Sequence, residues 1–171
     1  MPTLAAVNAM PRDAFVGAFG SVFEHSPWVA ERAWTRRPFA SVDAMHAAMS
    51  AAVRAATLDE QLALIRAHPE LAGREAVAGE LTSESTGEQG RLGFTALSRE
   101  ELERVARANA AYRDRYGFPC IVALRLHRSR DTVIAEMERR AADGDRDAEI
   151  ARALGQIDAI TRGRLDRLVA P

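Results

Sequence analysis

Two helix-start motifs of the form Ser/Thr-x-x-Glu constrain the fold of this chain more than any other feature. They are Thr57–Glu60 and Ser98–Glu101, and in each the hydroxyl and the carboxylate can accept hydrogen bonds from each other's backbone N–H. Apolar residues follow both motifs at spacings of three and four, as they do on one face of a helix. Alternation of apolar and polar residues, which is typical of strands, is nearly missing. The sequence therefore predicts an all-α protein.

Start and stop signals along the chain predict seven to nine helices in a single domain over residues 1–171. Gly117 is expected to end one of them, and Trp28 and Trp34 are expected in the core. Residues 72–87 are expected in loops and short turns, and residues 118–126 in a buried extended segment. Helices are expected to begin near Pro11, Ser26-Pro27, Ser41, Thr57, Ser98, Asp131 and Asp145.

Net charge, the length of the apolar runs and the cysteine count exclude several classes of partner and location. The formal net charge is -1 and the pI is near 6.4, so no basic field is available to attract nucleic acid or an anionic membrane. No apolar run approaches the roughly 20 residues that a membrane-spanning helix needs. The N-terminus lacks the apolar stretch of a signal peptide, and the single cysteine excludes an intrachain disulfide. We therefore expect a cytoplasmic protein.

All 23 basic residues are arginine, and the sequence contains no lysine. Pyridoxal enzymes need a lysine for their Schiff base, nucleotide-binding P-loops need a lysine on the phosphates, and biotin and lipoyl groups are carried on lysine. The composition therefore excludes these mechanisms without proposing another.

The residues from Leu62 to Gln89 hold the best candidates for chemistry. His68 precedes a proline, which disfavours helical backbone at the residue before it, so His68 is expected at the last position of a helix or just beyond. The partial negative charge of a helix C-terminus favours an imidazolium there. Ser85, Glu88 and Gln89 follow within about twenty residues, in a glycine-containing loop or a short helix. Two simpler interpretations stay open. One is that His68 is only a helix-terminal cation, and the other is that Ser85-x-x-Glu88 is a helix-capping box.

Other polar residues have simpler explanations. The four histidines show none of the spacings typical of metal ligands, so no metal site is predicted. Cys120 lies in an apolar run and is expected to be a small core residue rather than a nucleophile. Ser26 is expected to cap the helix that Pro27 opens. Asn109 lies on the apolar face of its helix, where a hydrogen-bonded structural role is the alternative to a functional one.

The sequence resembles the 2-oxo-4-hydroxy-4-carboxy-5-ureidoimidazoline decarboxylases of urate breakdown. Separated motifs carry the resemblance in order along most of the chain. They are FEHSPWVAERAW at 23–34, RPF at 37–39, AHPELAG at 67–73, LTSESTGEQ at 81–89, ANAAYRDRYGFPCIVA at 108–123 and RGRLDRL at 162–168.

The resemblance implies an all-α fold, usually a homodimer, that converts the ureidoimidazoline to (S)-allantoin without a cofactor or metal. It implies catalytic roles for His68 and Glu88. Two departures from the family pattern occur, at Cys120, where an aromatic residue is usual, and at Gly163. The residues that it implies to contact the substrate or line its pocket are Pro69, Ser85, Gln89, Pro119, Cys120, Ile121, Val122, Ala123 and Arg164.

Two alternatives to this function stay open at the level of sequence. The chain could decarboxylate a related ureido or imidazoline acid, because pocket shape decides which ring is accepted. It could also be a non-catalytic helical interaction module that kept the fold. The second alternative predicts loss of the motif's polar residues, whereas His68, Ser85, Glu88 and Gln89 are all present.

Overall fold

A computed structural model describes residues 1–73, 79–80, 82–142 and 144–170 of the chain. These residues contain nine α-helices, one 3₁₀ turn and no β-strand, as the helix signals predicted. In chain order they are α1 (Leu4–Ala9), α2 (Arg12–Phe19), α3 (Trp28–Trp34), α4 (Val42–Arg54), α5 (Leu58–Ala67), α6 (Ser83–Gly90), α7 (Arg99–Tyr116), η1 (Leu124–Leu126), α8 (Arg130–Ala142) and α9 (Arg146–Asp166).

Both helix-start motifs form the reciprocal hydrogen bonds that their sequences predict. The N–H of Thr57 donates to Glu60 at 2.9 Å, and the N–H of Glu60 donates to the Thr57 hydroxyl at 3.2 Å. Ser98 and Glu101 repeat this exchange at 2.7 and 3.2 Å. Gly117 ends α7 with φ at 81°, a left-handed conformation that glycine adopts without a steric penalty. Local hydrogen bonding therefore sets these helix ends.

The chain divides into two compact units, Met1–Ala67 with Ile160–Pro171, and His68–Ala159. In the first unit α3 packs against both α2 and α4. Phe15 and Phe19 of α2 are buried with their rings 4.9 Å apart, and Met45 and Met49 of α4 are also buried. The expectation of one domain over residues 1–171 remains a prediction. No described helix is long and apolar enough to cross a membrane.

The α3 region differs from its prediction in two respects. Trp28 and Trp34 are half-buried rather than in the core, and the smaller Val29 and Ala33 fill the core positions. Arg32 lies 4.4 Å from the Trp28 ring centre, a cation–π arrangement that covers an indole at the surface. Indole N–H groups need a polar partner, which also favours an edge position over the core.

Ser26 does not cap α3. Its hydroxyl donates to the Glu24 carbonyl at 3.0 Å, and no side chain caps this helix, whose N-cap residue is Pro27. A capping serine must aim its oxygen at N–H groups of the first turn, and the turn around Glu24 directs this one elsewhere.

In the second unit α7 and α8 pack against each other. Residues 118–123 form an extended, mostly buried segment that pairs with no strand among the described residues, as the sequence predicts. The predicted segment is wrong over its last three residues, because Leu124–Leu126 form a 3₁₀ turn and Leu126 is exposed. The Phe118 ring lies 5.8 Å from the Tyr112 ring, which anchors the start of this segment on α7. At its end, η1 packs against α6.

Helix α6 corrects the expectation of loops over residues 72–87, because residues 83–90 are helical. The Thr82 hydroxyl accepts from the N–H of Ser85 at 3.3 Å and caps the helix. Two glycines within the helix, at 87 and 90, weaken its sequence signal. The part of the prediction that concerns residues 74–78 and 81 lies outside the described residues.

Candidate active site

His68 follows α5 directly, as the His-Pro step predicts. The helix ends at Ala67, and the His68 side chain is buried, with 5% of the residue exposed. Pro69 excludes further helical turns by its effect on the residue before it. The imidazole is therefore buried at the point where the chain leaves a helix C-terminus, the end that favours positive charge.

The three polar residues of the SxxEQ motif lie on one face of α6. Ser85, Glu88 and Gln89 are three and four positions apart, the spacing of neighbours on a helix surface. Ser85 and Gln89 are buried and Glu88 is half-buried. The capping-box interpretation of Ser85-x-x-Glu88 is wrong, because Thr82 is the N-cap and Ser85 lies inside the helix. The geometry therefore leaves the Ser85 and Glu88 side chains without a capping role.

Gln89 ties α6 to the loop that follows His68. Its Oε1 accepts from the N–H of Ala72 at 3.0 Å, and its Nε2 donates to the Glu70 carbonyl at 3.4 Å. The loop turns back at Gly73, whose N–H donates to the Glu70 carbonyl at 3.2 Å. A Cβ at Gly73 would lie 2.7 Å from the Glu70 Cβ, so only glycine fits there. The AHPELAG and LTSESTGEQ motifs are therefore in direct contact.

Helix α7 holds the same loop from another side. The Asn109 amide donates to the Leu71 carbonyl at 2.9 Å, and one turn later Arg113 pairs with the Glu70 carboxylate. Asn109 is buried, while about half of the Arg113 side chain is exposed. The residues directly after His68 are therefore bound by side chains from both α6 and α7.

The extended segment that contains Pro119–Ala123 is fixed through its backbone. Arg140 Nη1 donates to the Ile121 carbonyl at 2.7 Å, and the N–H of Ala123 donates to Gln156 Oε1 at 2.8 Å. Cys120, Ile121, Val122 and Ala123 are buried, and Pro119 is half-buried. Because η1 continues directly from this segment and packs on α6, the segment approaches the helix that carries Ser85 and Glu88.

A buried ionic cluster supports this segment. Arg140 is fully buried and bonds Glu149 at 2.8 Å, while Glu149 also accepts from the Tyr112 hydroxyl at 2.7 Å and from Arg152 at 2.6 Å. Burial, and then the hydrogen bond to Glu149, raise the pKa of Tyr112, so the phenol stays a neutral donor. All charged members of the cluster are thus paired.

Sequence reasoning missed Arg140 and Glu149. Arg140 continues the buried stripe of α8 at helical spacing from Val133 and Met137. An arginine on an apolar stripe is the signal that could have identified it, since such a charge needs a buried partner.

Burial also determines the chemistry of Cys120. The thiol lies 1% exposed in the core, and burial raises its pKa to about 12. A thiol with this pKa stays protonated at neutral pH and is a poor nucleophile. The interpretation of Cys120 as a core residue therefore agrees with its surroundings.

We expect the native protein to resist iodoacetamide at pH 8. Modification should follow only after unfolding in denaturant, and intact mass should then increase by one carbamidomethyl group because the chain has a single cysteine. Thiolate formation favours the unfolded chain, so protection should weaken as the pH rises from about 9 towards 12. Rapid labelling of the native protein at pH 8 would contradict the burial of Cys120.

The candidates do not all belong to the same unit. His68, Pro69, Ser85, Glu88, Gln89 and Pro119–Ala123 lie in the second unit, whereas Arg164 lies in the first. Arg164 is buried there, with Nη1 donating to Glu24 at 2.7 Å and to the Val22 carbonyl at 3.2 Å. Its guanidinium therefore holds the segment before α3.

The described residues contain no group of three or more His, Cys, Asp or Glu side chains arranged to hold a metal ion. Two histidines instead bond threonine hydroxyls, each at 3.1 Å: His46 contacts Thr161, and His127 contacts Thr132.

Comparison with known proteins relates the whole chain to one family. The sequence profile described as OHCU decarboxylase matches residues 8–166. The chain is 44% identical over 163 residues to the 2-oxo-4-hydroxy-4-carboxy-5-ureidoimidazoline decarboxylase of Haloferax volcanii, covering 95% of this chain and 94% of that protein. It is 38% identical over 169 residues to the protein of that name from Halalkalicoccus jeotgali, covering 99% and 93%.

A solved structure supports the same relationship. The crystal structure of (S)-allantoin synthase matches with a TM-score of 0.76 at 28% identity over 98% of this chain. This chain spans 54% of the length of that one, about half.

Proposed function

Because the chain belongs to the OHCU decarboxylase family, we propose that it removes CO₂ from 2-oxo-4-hydroxy-4-carboxy-5-ureidoimidazoline and forms (S)-allantoin without a cofactor. The relatives named above carry the same description, and the match to the family profile includes every residue of the candidate site. The reaction is proposed to be a step of urate degradation.

One structural observation carries the assignment of the site. Helix α6 presents Ser85 and Glu88 on the same face as Gln89, and Gln89 is hydrogen-bonded to the loop that directly follows His68. A basic group, a carboxylate and a hydroxyl are thus assembled in one unit from residues about twenty positions apart. Capping does not account for them, because Thr82 caps the helix.

The proposed substrate carries its own electron sink. When the bond between C4 and the carboxylate breaks, its electron pair can form a C4–C5 double bond while the ring C=N nitrogen takes up charge and a proton. The 4-hydroxyl then loses its proton as C4 becomes a carbonyl, and C5 gains a proton on one face. The protein must orient the carboxylate out of the ring plane, stabilise the moving charge and direct the last proton.

His68 and Glu88 are the proposed catalytic residues. An imidazolium at the end of α5 stabilises negative charge as it moves into the ring, and a helix C-terminus favours that protonation state. A carboxylate at Glu88 can orient the imidazolium or accept the hydrogen bond of the 4-hydroxyl. The two groups together supply the charge stabilisation and the proton transfer that the reaction needs.

Substrate recognition is proposed to use neutral hydrogen-bonding groups. The ureido and imidazolone groups are dense in donors and acceptors, which suits the Ser85 hydroxyl and the backbone from Pro119 to Ala123. Arg140 and Gln156 support this backbone, because they hold one carbonyl and one N–H of the segment. Pro69 completes the proposed set of substrate contacts in the second unit, and the contact that the resemblance implies for Arg164, which lies in the first unit, stays a prediction.

The function can be tested with substrate generated freshly in the cuvette. Spontaneous decay gives racemic allantoin, because water protonates both faces of C5 alike, whereas the enzyme should give a circular dichroism signal of the S isomer. Product with no excess of one isomer would exclude the activity. Turnover of a different ureido or imidazoline acid, with none on this substrate, would favour the related-acid alternative.

We expect activity to be independent of added metal and cofactor. The electron pair enters the substrate ring, so the proposed chemistry needs no separate sink. Extensive dialysis against a chelator should leave the initial rate of decarboxylation unchanged. A loss of rate that a divalent ion restores would contradict the proposal.

We further propose a homodimer in the cytoplasm whose only required partner is the small-molecule substrate. The dimer is what the resemblance of the sequence to this family implies. Light scattering should give twice the chain mass of 18.7 kDa. A mass equal to one chain at working concentration would remove the dimer from the proposal.

A further inference from the structure

We propose that Asn109 is a positioning residue for His68, acting with Gln89 through the backbone of Glu70–Ala72. The inference rests on the proposed function, in which the His68 imidazole acts on the substrate. Asn109 lies on α7, and its amide donates to the Leu71 carbonyl. Its role is to set the path of the chain immediately after the histidine.

Two side-chain amides bind three successive backbone groups in this loop. Gln89 Nε2 donates to the Glu70 carbonyl, Asn109 Nδ2 donates to the Leu71 carbonyl at 2.9 Å, and Gln89 Oε1 accepts from the N–H of Ala72 at 3.0 Å. Loop backbone usually bonds to water. Here the donors come from α6 and α7, so the loop is held by rigid elements on both sides. Both the oxygen and the nitrogen of the Gln89 amide bond to the loop backbone. This favours a positioning role for Gln89 over direct contact with substrate.

The loop needs such support because Ala72 has a φ of 46°. The left-handed region is unfavourable for an alanine, since its Cβ approaches the backbone carbonyl. Strain of this kind persists only where surrounding contacts hold it in place. If the amide bonds were lost, the loop should relax at Ala72, and the chain would leave His68 in a different direction.

A contribution to stability does not by itself explain why an asparagine occupies position 109. Only 4% of the residue is exposed, and its Oδ1 is buried without a hydrogen-bond partner among the described residues. An unpaired buried acceptor lowers stability, because it has lost its hydrogen bonds to water without replacement. Asn8 makes a useful contrast, because its amide donates to the Phe39 carbonyl at 2.9 Å and its oxygen accepts from the Phe39 N–H at 2.8 Å. Asn109 thus retains one bond to the loop at the cost of an unpaired acceptor.

The test is Asn109→Leu, which keeps the branched shape and the number of side-chain heavy atoms and removes the donor. We expect kcat to fall by roughly 10- to 100-fold, the scale of a misplaced catalytic group. Tm should change little, because loss of the Leu71 hydrogen bond is offset by removal of the unpaired oxygen. The nitrogen resonances of the His68 ring, identified by their absence in His68→Asn, should shift, while those of His46 and His127 should stay in place.

Asn8→Leu is the matched control. It also removes an amide that bonds a backbone carbonyl at 2.9 Å, but in the first unit. We expect a lower Tm with unchanged kcat and unchanged His68 resonances. If Asn109→Leu does not fold, Gln89→Met, which keeps the length and removes the amide, should give the same shift of the His68 resonances.

Unmoved His68 resonances together with full kcat in Asn109→Leu would overturn the proposal. Equal losses of kcat in Asn8→Leu and Asn109→Leu would also overturn it, because the effect would then be general destabilisation. The resonance shift does not depend on turnover. Wild-type protein that fails to decarboxylate the substrate would therefore count against the proposed function, while the His68 signal would still report on the loop.

Discussion

Glu88→Gln should lower kcat by about 10²-fold or more, the scale of a lost acid–base group, while Tm barely moves. The substitution keeps shape and hydrogen bonding but removes the charge that would orient an imidazolium or accept a proton from the 4-hydroxyl. The change leaves helix capping intact, since Thr82 is the N-cap of α6. Steady-state kinetics and a thermal melt on the same preparation measure both quantities.

Glu84→Gln is the matched control on the same helix. Glu84 lies in the first turn of α6, where a carboxylate interacts with the helix dipole by about 0.3–1 kcal/mol. This variant should lose a little stability and keep its kcat. If Glu88→Gln retained full activity, Glu88 would have no part in the mechanism, and the proposed chemistry would rest on His68 alone.

His68→Asn should reduce kcat on a scale similar to that of Glu88→Gln. Groups that act as a unit give non-additive losses, so the double variant should be little slower than either single variant. If the fold-loss of kcat in the double variant equals the product of the two single losses, the residues act independently. That result would contradict a joint role.

The second large effect is expected on stability, from Arg140→Met. This change removes the buried cation that pairs with Glu149, leaves that carboxylate paired with the partly exposed Arg152, and removes the donor to the Ile121 carbonyl. Breaking a buried ion pair from one side costs about 3–5 kcal/mol. For a chain of this size the melting temperature should fall by roughly 6–20 °C. Chemical denaturation, with the slope compared to wild type, measures the free energy of unfolding.

Arg139→Met is the control for this prediction. Arg139 is the neighbouring arginine, and its side chain is 60% exposed and paired with Glu136. Exposed pairs contribute about 0–1 kcal/mol, so the variant should be nearly as stable as wild type. The double variant Arg140→Met/Glu149→Leu should be less destabilised than Arg140→Met, since no buried charge is left unpaired. A cost for Arg140→Met no larger than that of Arg139→Met would contradict the burial of the cluster.

Helix boundaries are the part of the fold that the sequence determined most completely. The Thr57–Glu60 and Ser98–Glu101 boxes and the glycine at 117 act through hydrogen bonds and backbone angles within one turn. Such signals need no information from distant residues. The position of His68 at the end of α5 follows from the same local rule, applied to the proline after it.

Local signals failed where a choice depended on neighbours in space. Ser85-x-x-Glu88 and Thr82 both offer caps for one helix, and the segment's glycines obscured which would be used. Trp28 and Trp34 are large hydrophobic residues, which favours a place in the core. In the structure both lie nearer the surface, where arginines from the same region of the chain stack on their rings. Spacing alone cannot distinguish these outcomes, because each depends on what packs against the helix.

The site shows the same division. Resemblance in motif order identified His68, Ser85, Glu88 and Gln89 from the sequence, and periodicity marked Asn109 as a polar residue on an apolar face. Only the tertiary structure shows that Gln89 and Asn109 bind the backbone after His68, across 17 and 38 positions of sequence. It also shows that Arg140 holds Ile121. Contacts of this range depend on how helices pack, and packing is set by the whole core rather than by the residues that make the contact.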